Sequence, residues 1–152
     1  MNAQMRTHIK KGIFSMKSYI LQCDAKKNVL SQKIDILQRE IMKENDLIRC
    51  MTDTITCCQE EALQSKSDLD NLFGSFASTM ISIENMEAMI DLDIQRWSTL
   101  FITQSTIKEL NMSVDNKKTK IKYLLSIIED VATHKLNCEE RLKKLQNFCG
   151  QH

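Results

Sequence analysis

Between Ile9 and Phe76 the apolar residues recur with one unbroken three-four spacing: Ile9, Ile13, Met16, Ile20, Cys23, Lys27, Leu30, Ile34, Leu37, Ile41, Glu44, Ile48, Met51, Ile55, Cys58, Ala62, Ser65, Leu69, Leu72 and Phe76. Only Lys27, Glu44 and Ser65 are polar, so 17 of these 20 positions are apolar, where a 42% hydrophobic composition would place about 8. A seven-residue repeat held this long predicts a helix that buries a narrow stripe against other helices. The spacing predicts an all-α chain, an elongated coiled coil of two or three long helices.

The segment Leu72-Phe73-Gly74-Ser75-Phe76-Ala77-Ser78-Thr79 supplies a glycine flanked by cap-type residues, and a break is expected between about 73 and 79. Beyond it the stripe continues through Ile83, Met86, Ile90, Trp97, Leu100 and Ile107, with Thr79 and Asp93 as polar rungs. Near 107–114 the register slips by one residue and resumes as Leu110, Val114, Lys117, Ile121, Leu124, Ile128, Val131, Lys135, Cys138, Leu142, Leu145 and Cys149. The expected helices span about 9–73, 78–111 and 114–148, the last two joined if Asn111–Asn116 does not turn. Together they make residues 1–152 a single elongated helical region.

Composition agrees with this reading. The chain has no Pro, three Gly and 5% aromatics, too few turn residues and large anchors for a compact globular core. Glu84, Glu87, Asp91 and Asp93 interrupt the most apolar stretch, so no membrane span is expected, and Lys17 spoils a secretion signal at Ile13–Leu21. Of the six cysteines, Cys23, Cys58, Cys138 and Cys149 fall on rungs and read as small hydrophobes. Cys50 and Cys57 share a flank. A reducing compartment, cytosol or nucleus, is expected, and not secretion.

The net charge of +1 hides a block pattern. Residues 1–33 hold 7 basic and 1 acidic residue, net +6; residues 34–93 hold 4 and 13, net −9; residues 94–152 hold 10 and 6, net +4. Folding back at Gly74 would lay the two basic ends along each other. In a parallel homodimer the flank pairs run from Tyr19 with Asp24 to Glu61 with Lys66, and only the last joins opposite charges. Other helical chains in a hetero-oligomer, or a staggered array in which acidic middles meet basic ends, are therefore the expected partners.

The candidate partner-interface residues are Ile13, Ile20, Leu30, Ile34, Leu37, Ile41, Ile48, Ile55 and Leu69 on the first stripe, Trp97, and Ile121, Leu124 and Ile128 on the second. Trp97 follows Arg96 in a segment with Ile94, Leu100 and Phe101, and reads either as a packed rung or as a partner anchor. Lys10, Lys11 and Lys17 among Ile9, Ile13, Phe14, Met16 and Ile20 form a basic amphipathic segment that could touch an anionic membrane. Lys117, Lys118, Lys120 and Lys122 are the tightest basic cluster, but no aromatics are interleaved to stack on bases, and nucleic acid is not an expected partner.

Lys27 and Glu44 either fix the register of the stripe or snorkel out of it. His134 and Cys138 lie one turn apart, two ligands where structural zinc needs four. With three His, no placed acid partners and no Gly-rich loop, the chain offers no catalytic, metal or cofactor motif. A non-enzymatic structural or adaptor protein is expected, in a cytoskeletal, ciliary or chromosome-associated complex by analogy with other long coiled coils. The alternative is a peripheral membrane or trafficking tether.

Overall fold

The computed structural model describes residues 2–75 and 83–151, and these form two long helices, α1 (Ala3–Ser75) and α2 (Ile83–Gln151), with no strand among the described residues. Helix α1 starts six residues before the first rung at Ile9 because Asn2 caps it: its Oδ1 accepts from the Met5 N–H at 2.8 Å and its carbonyl from the Arg6 N–H at 3.2 Å. At the other end the helix passes through Gly74 to Ser75. The expected break at 73–79 falls largely on residues 76–82, outside the described residues.

The buried stripe of α1 is the ladder seen in the sequence. Cys23, Leu30, Ile34, Ala62, Ser65 and Leu69 are buried, and the other described rungs are half-buried with one exception. Lys27 is exposed, so its stem leaves the stripe, whereas Glu44 stays in it and accepts a hydrogen bond from Ser113 Oγ at 2.9 Å. The run Thr52–Thr56, β-branched at every position but Asp53, is a poor intrinsic helix former. Its threonines nevertheless fit, because Thr52, Thr54 and Thr56 donate to the carbonyls of Ile48, Cys50 and Thr52 one turn back.

Helix α2 runs unbroken across Asn111–Asn116, so of the two arrangements expected the described residues take the one with two helices. The register slip expected near 107–114 is corrected: Met86, Met89, Asp93, Arg96, Leu100, Thr103, Ile107, Leu110, Val114, Lys117 and Ile121 are all buried or half-buried in one three-four register, which continues to Leu145. What shifts near Ile107 is the position of the apolar residues. Before that point several of them lie off the inward stripe, and polar residues occupy it.

The chain divides into two compact units, Met1–Glu40 with Lys117–His152, and Ile41–Asn116. In the first, Cys138 Sγ donates to the Met16 carbonyl at 3.8 Å, Lys135 pairs with Asp24 at 2.6 Å, and Lys117 with Glu40 at 3.4 Å. Contact positions fall along α2 as they rise along α1, so the paired segments are antiparallel. In the second, Ser113 meets Glu44, and Arg96 Nη1 donates to the Glu61 carbonyl at 3.4 Å, again antiparallel. Like-charged blocks thus lie side by side in the first unit. Block totals missed that Asp24, the one acid of residues 1–33, and Glu40, near the start of the acidic block, each sit opposite a lysine.

Candidate docking surface

Twelve of the thirteen candidate interface residues lie on the stripes with which each unit packs its own two helices. Leu30, Ile34 and Leu69 are buried, and Ile13, Ile20, Leu37, Ile41, Ile48, Ile55, Ile121, Leu124 and Ile128 half-buried. No large side chain is fully buried among the described residues, since two helices can cover each other from one side only. Trp97 is the exception. It is 44% exposed and lies outside the stripe.

Around Trp97 in the second unit the helix presents a second apolar line. Ile90, Ile94, Trp97 and Phe101 are spaced four, three and four apart, which places them on one outward face of α2. Ile94 is 57% and Phe101 71% exposed. Over the same turns the inward line carries Asp93, Arg96 and Thr103 beside Leu100. On α1 the small residues Ala62 and Ser65 are buried, and Arg96 reaches the carbonyl of Glu61 beside Ala62. Asp93 Oδ1 is buried with no hydrogen-bond partner among the described residues. The outward line is therefore more apolar than the inward one, the reverse of an ordinary amphipathic helix. Between it and α1 lies a cleft of about 420 Å³ lined by Gln59, Leu63, Trp97, Leu100, Phe101 and Gln104.

Sequence reasoning grouped Ile94 and Phe101 with Trp97 but placed Ile90 on the packing stripe and missed Leu63. The legible signal was the spacing of Ile90, Ile94, Trp97 and Phe101, which competes with the inward register.

The first unit carries a cleft of similar size with different chemistry, lined by Lys33, Ile36, Leu37, Lys120, Tyr123 and Leu124. Leu37 and Leu124 form its floor, and Ile36 and Tyr123 are exposed beside the two lysines. Of the candidate basic residues, Lys10, Lys11, Lys17, Lys118, Lys120 and Lys122 are exposed, whereas Lys117 is half-buried and paired with Glu40. Toward the start of α1, Lys10, Phe14, Lys17 and Leu21 share an outward line, with Phe14 75% and Leu21 69% exposed.

Near the inward stripe of this unit, the hydrogen bond to Asp24 raises the Lys135 ammonium above its ordinary range. Tyr19 is also raised, first by its hydrogen bond with Cys23 and further by charge interactions with Cys23 and Cys138. His134 and Cys138 share a cleft with Ser15, Met16, Tyr19, Asn137 and Arg141, but no group of three or more His, Cys, Asp or Glu among the described residues could hold a metal ion. No described helix is long and apolar enough to cross a membrane. No known protein family, curated protein or solved structure matches the chain.

Proposed function

We propose that this protein is a non-enzymatic structural or adaptor protein that works by coiled-coil assembly with other helical chains, each of its two units being an antiparallel helix pair that presents further apolar lines outward. The observation that carries this reading is the line Ile90, Ile94, Trp97 and Phe101, outward-facing while Asp93, Arg96 and Thr103 lie inward. Covering an apolar side chain completely is worth about 1.5–3 kcal/mol, so a helix laid over four half-exposed ones would gain several kcal/mol before the cost of association. Placement in a cytoskeletal, ciliary or chromosome-associated complex follows the habits of long helical assemblies in general.

A photo-crosslinking amino acid at position 94 or 101, with position 34 as control, tests the reading in cells. Adducts from 94 and 101 should map to helical segments of other chains, and adducts from 34 to α2 of the same molecule. If 94 and 101 give no intermolecular adduct, the assembly reading is lost.

A second reading has its own observation. The exposed line Lys10, Phe14, Lys17 and Leu21 combines apolar and cationic groups in the manner of a segment that lies on an anionic bilayer, which supports a peripheral membrane or trafficking tether. Flotation with vesicles containing about 30% phosphatidylserine tests it. Binding that disappears with Lys10→Glu, Lys17→Glu and Phe14→Ser supports the tether, and absence of binding at low salt rejects it.

A further inference from the structure

The two units differ sharply in charge. The sequence of the first, residues 1–40 and 117–152, holds 16 basic and 7 acidic residues, net +9; that of the second, residues 41–116, holds 5 and 13, net −8. Each unit also exposes an apolar cleft, and the clefts differ in the same sense. The Ile36 and Tyr123 cleft is edged by Lys33 and Lys120, whereas the Trp97 and Phe101 cleft has no lysine or arginine in its lining and belongs to the acidic unit. Glu87 lies three residues before Ile90 and Asp91 three before Ile94, and both are exposed.

We infer that the occupant of the Trp97 face is a second copy of this chain: the basic unit of one molecule docks on the acidic unit of another, with Lys33 and Lys120 facing the acidic surroundings of Ile94, Trp97 and Phe101. This rests on the assembly reading and names a partner for it. Apolar contact and the attraction between the opposite net charges hold the pair together, and the charges also select the pairing of unlike units over that of like ones. Because the two contacting surfaces are different, the contact is heterologous. Each molecule has one of each, so pairing either closes on itself or continues to larger assemblies. The net positive charge that remains in the first unit beside its Asp24–Lys135 and Glu40–Lys117 pairs is then offset between molecules.

The test uses the full chain and two blocked variants. Variant one carries Ile94→Ser and Phe101→Ser, variant two Lys33→Glu and Lys120→Glu; the altered residues Ile94, Phe101 and Lys120 are exposed, and helical content by circular dichroism confirms that both fold. Light scattering of the unmodified chain should show dimers or larger species at about 0.1 M salt that dissociate toward monomer at about 1 M, where the screening length falls from about 10 Å to about 3 Å. Each variant alone should associate at least roughly tenfold more weakly, the loss expected when hot-spot anchors or their charge partners are removed. Mixed one to one, the variants should form a heterodimer and nothing larger, because each retains the surface the other lacks.

A chain that stays monomeric at low salt overturns the self-pairing while leaving assembly with other proteins to the crosslinking test. Association that strengthens with salt, or is unchanged by both variants, also overturns it, as does a mixture that remains monomeric.

Discussion

Lys135 Nζ donates to Asp24 Oδ1 at 2.6 Å, joining the inward stripe of α2 to the flank of the α1 stripe one residue past Cys23. The bond keeps the lysine protonated to higher pH in the folded chain than its ordinary value of 10.5. Its contribution to stability is therefore complete below about pH 10.5 and fades as pH rises through the raised value. Tyr19, also raised from 10.0, acts in the same direction. Urea midpoints at pH 8 and pH 11 should show a loss on going alkaline. Asp24→Asn should lower the midpoint at pH 8 and narrow the gap between the two pH values, with Tyr19→Phe as the control for the phenol. An unaltered gap in Asp24→Asn would mean that the pair does not shape the alkaline limb.

The inward register of α2 makes neighbouring large residues differ in their effect on the fold. Leu100 is 6% exposed, Trp97 44%. Leu100→Ala should destabilise by about 2–4 kcal/mol, the usual result of emptying a packed position, while Trp97→Ala should change stability of the isolated chain by less than about 1 kcal/mol. Had the apolar spacing Ile90, Trp97, Leu100 and Ile107 been the packing stripe, both would be costly. Chemical denaturation of the two variants at a concentration that keeps the chain monomeric decides between the registers.

This contrast also shows what the sequence discloses and what it does not. In α1 the rungs from Ile9 to Leu72, Lys27 apart, are the covered positions because one apolar line dominates the helix, and hydrophobic periodicity reports burial when there is no rival. In α2 before Ile107 two lines compete, and the more apolar one faces outward. The inward one keeps Asp93, Arg96 and Thr103 because the same helix continues in register into Ile107, Leu110 and Val114, whose burial within the second unit fixes which side of α2 meets α1. Antiparallel direction and the pairing of Asp24 with Lys135 depend on which residues oppose each other across the two helices, information that one chain's periodicity does not contain.

Glu44 and Ser113 form a polar layer inside the second unit, the carboxylate accepting the serine hydroxyl at 2.9 Å. Ser113→Ala should cost about 1 kcal/mol, since a hydrogen bond to a charged, partly buried acceptor is lost. Replacing the partners together, Glu44→Leu with Ser113→Ala, removes the desolvation burden and adds apolar contact, so the double variant should melt above Ser113→Ala and at or above the unmodified chain. A double-mutant cycle on thermal midpoints measures the coupling. If Ser113→Ala is neutral both alone and beside Glu44→Leu, the layer contributes no stability.

Gly12 lies within α1, and a Cβ built on it would meet nothing within 4 Å. Its place in the helix therefore needs no special backbone geometry and no close approach. Glycine costs about 0.8–1 kcal/mol relative to alanine in a helix interior, chiefly through the freedom it gives the unfolded chain. Gly12→Ala should accordingly raise stability by up to about 1 kcal/mol without altering the oligomeric mass. Equilibrium urea unfolding measures the gain, and a loss of stability in Gly12→Ala would show that the position needs glycine.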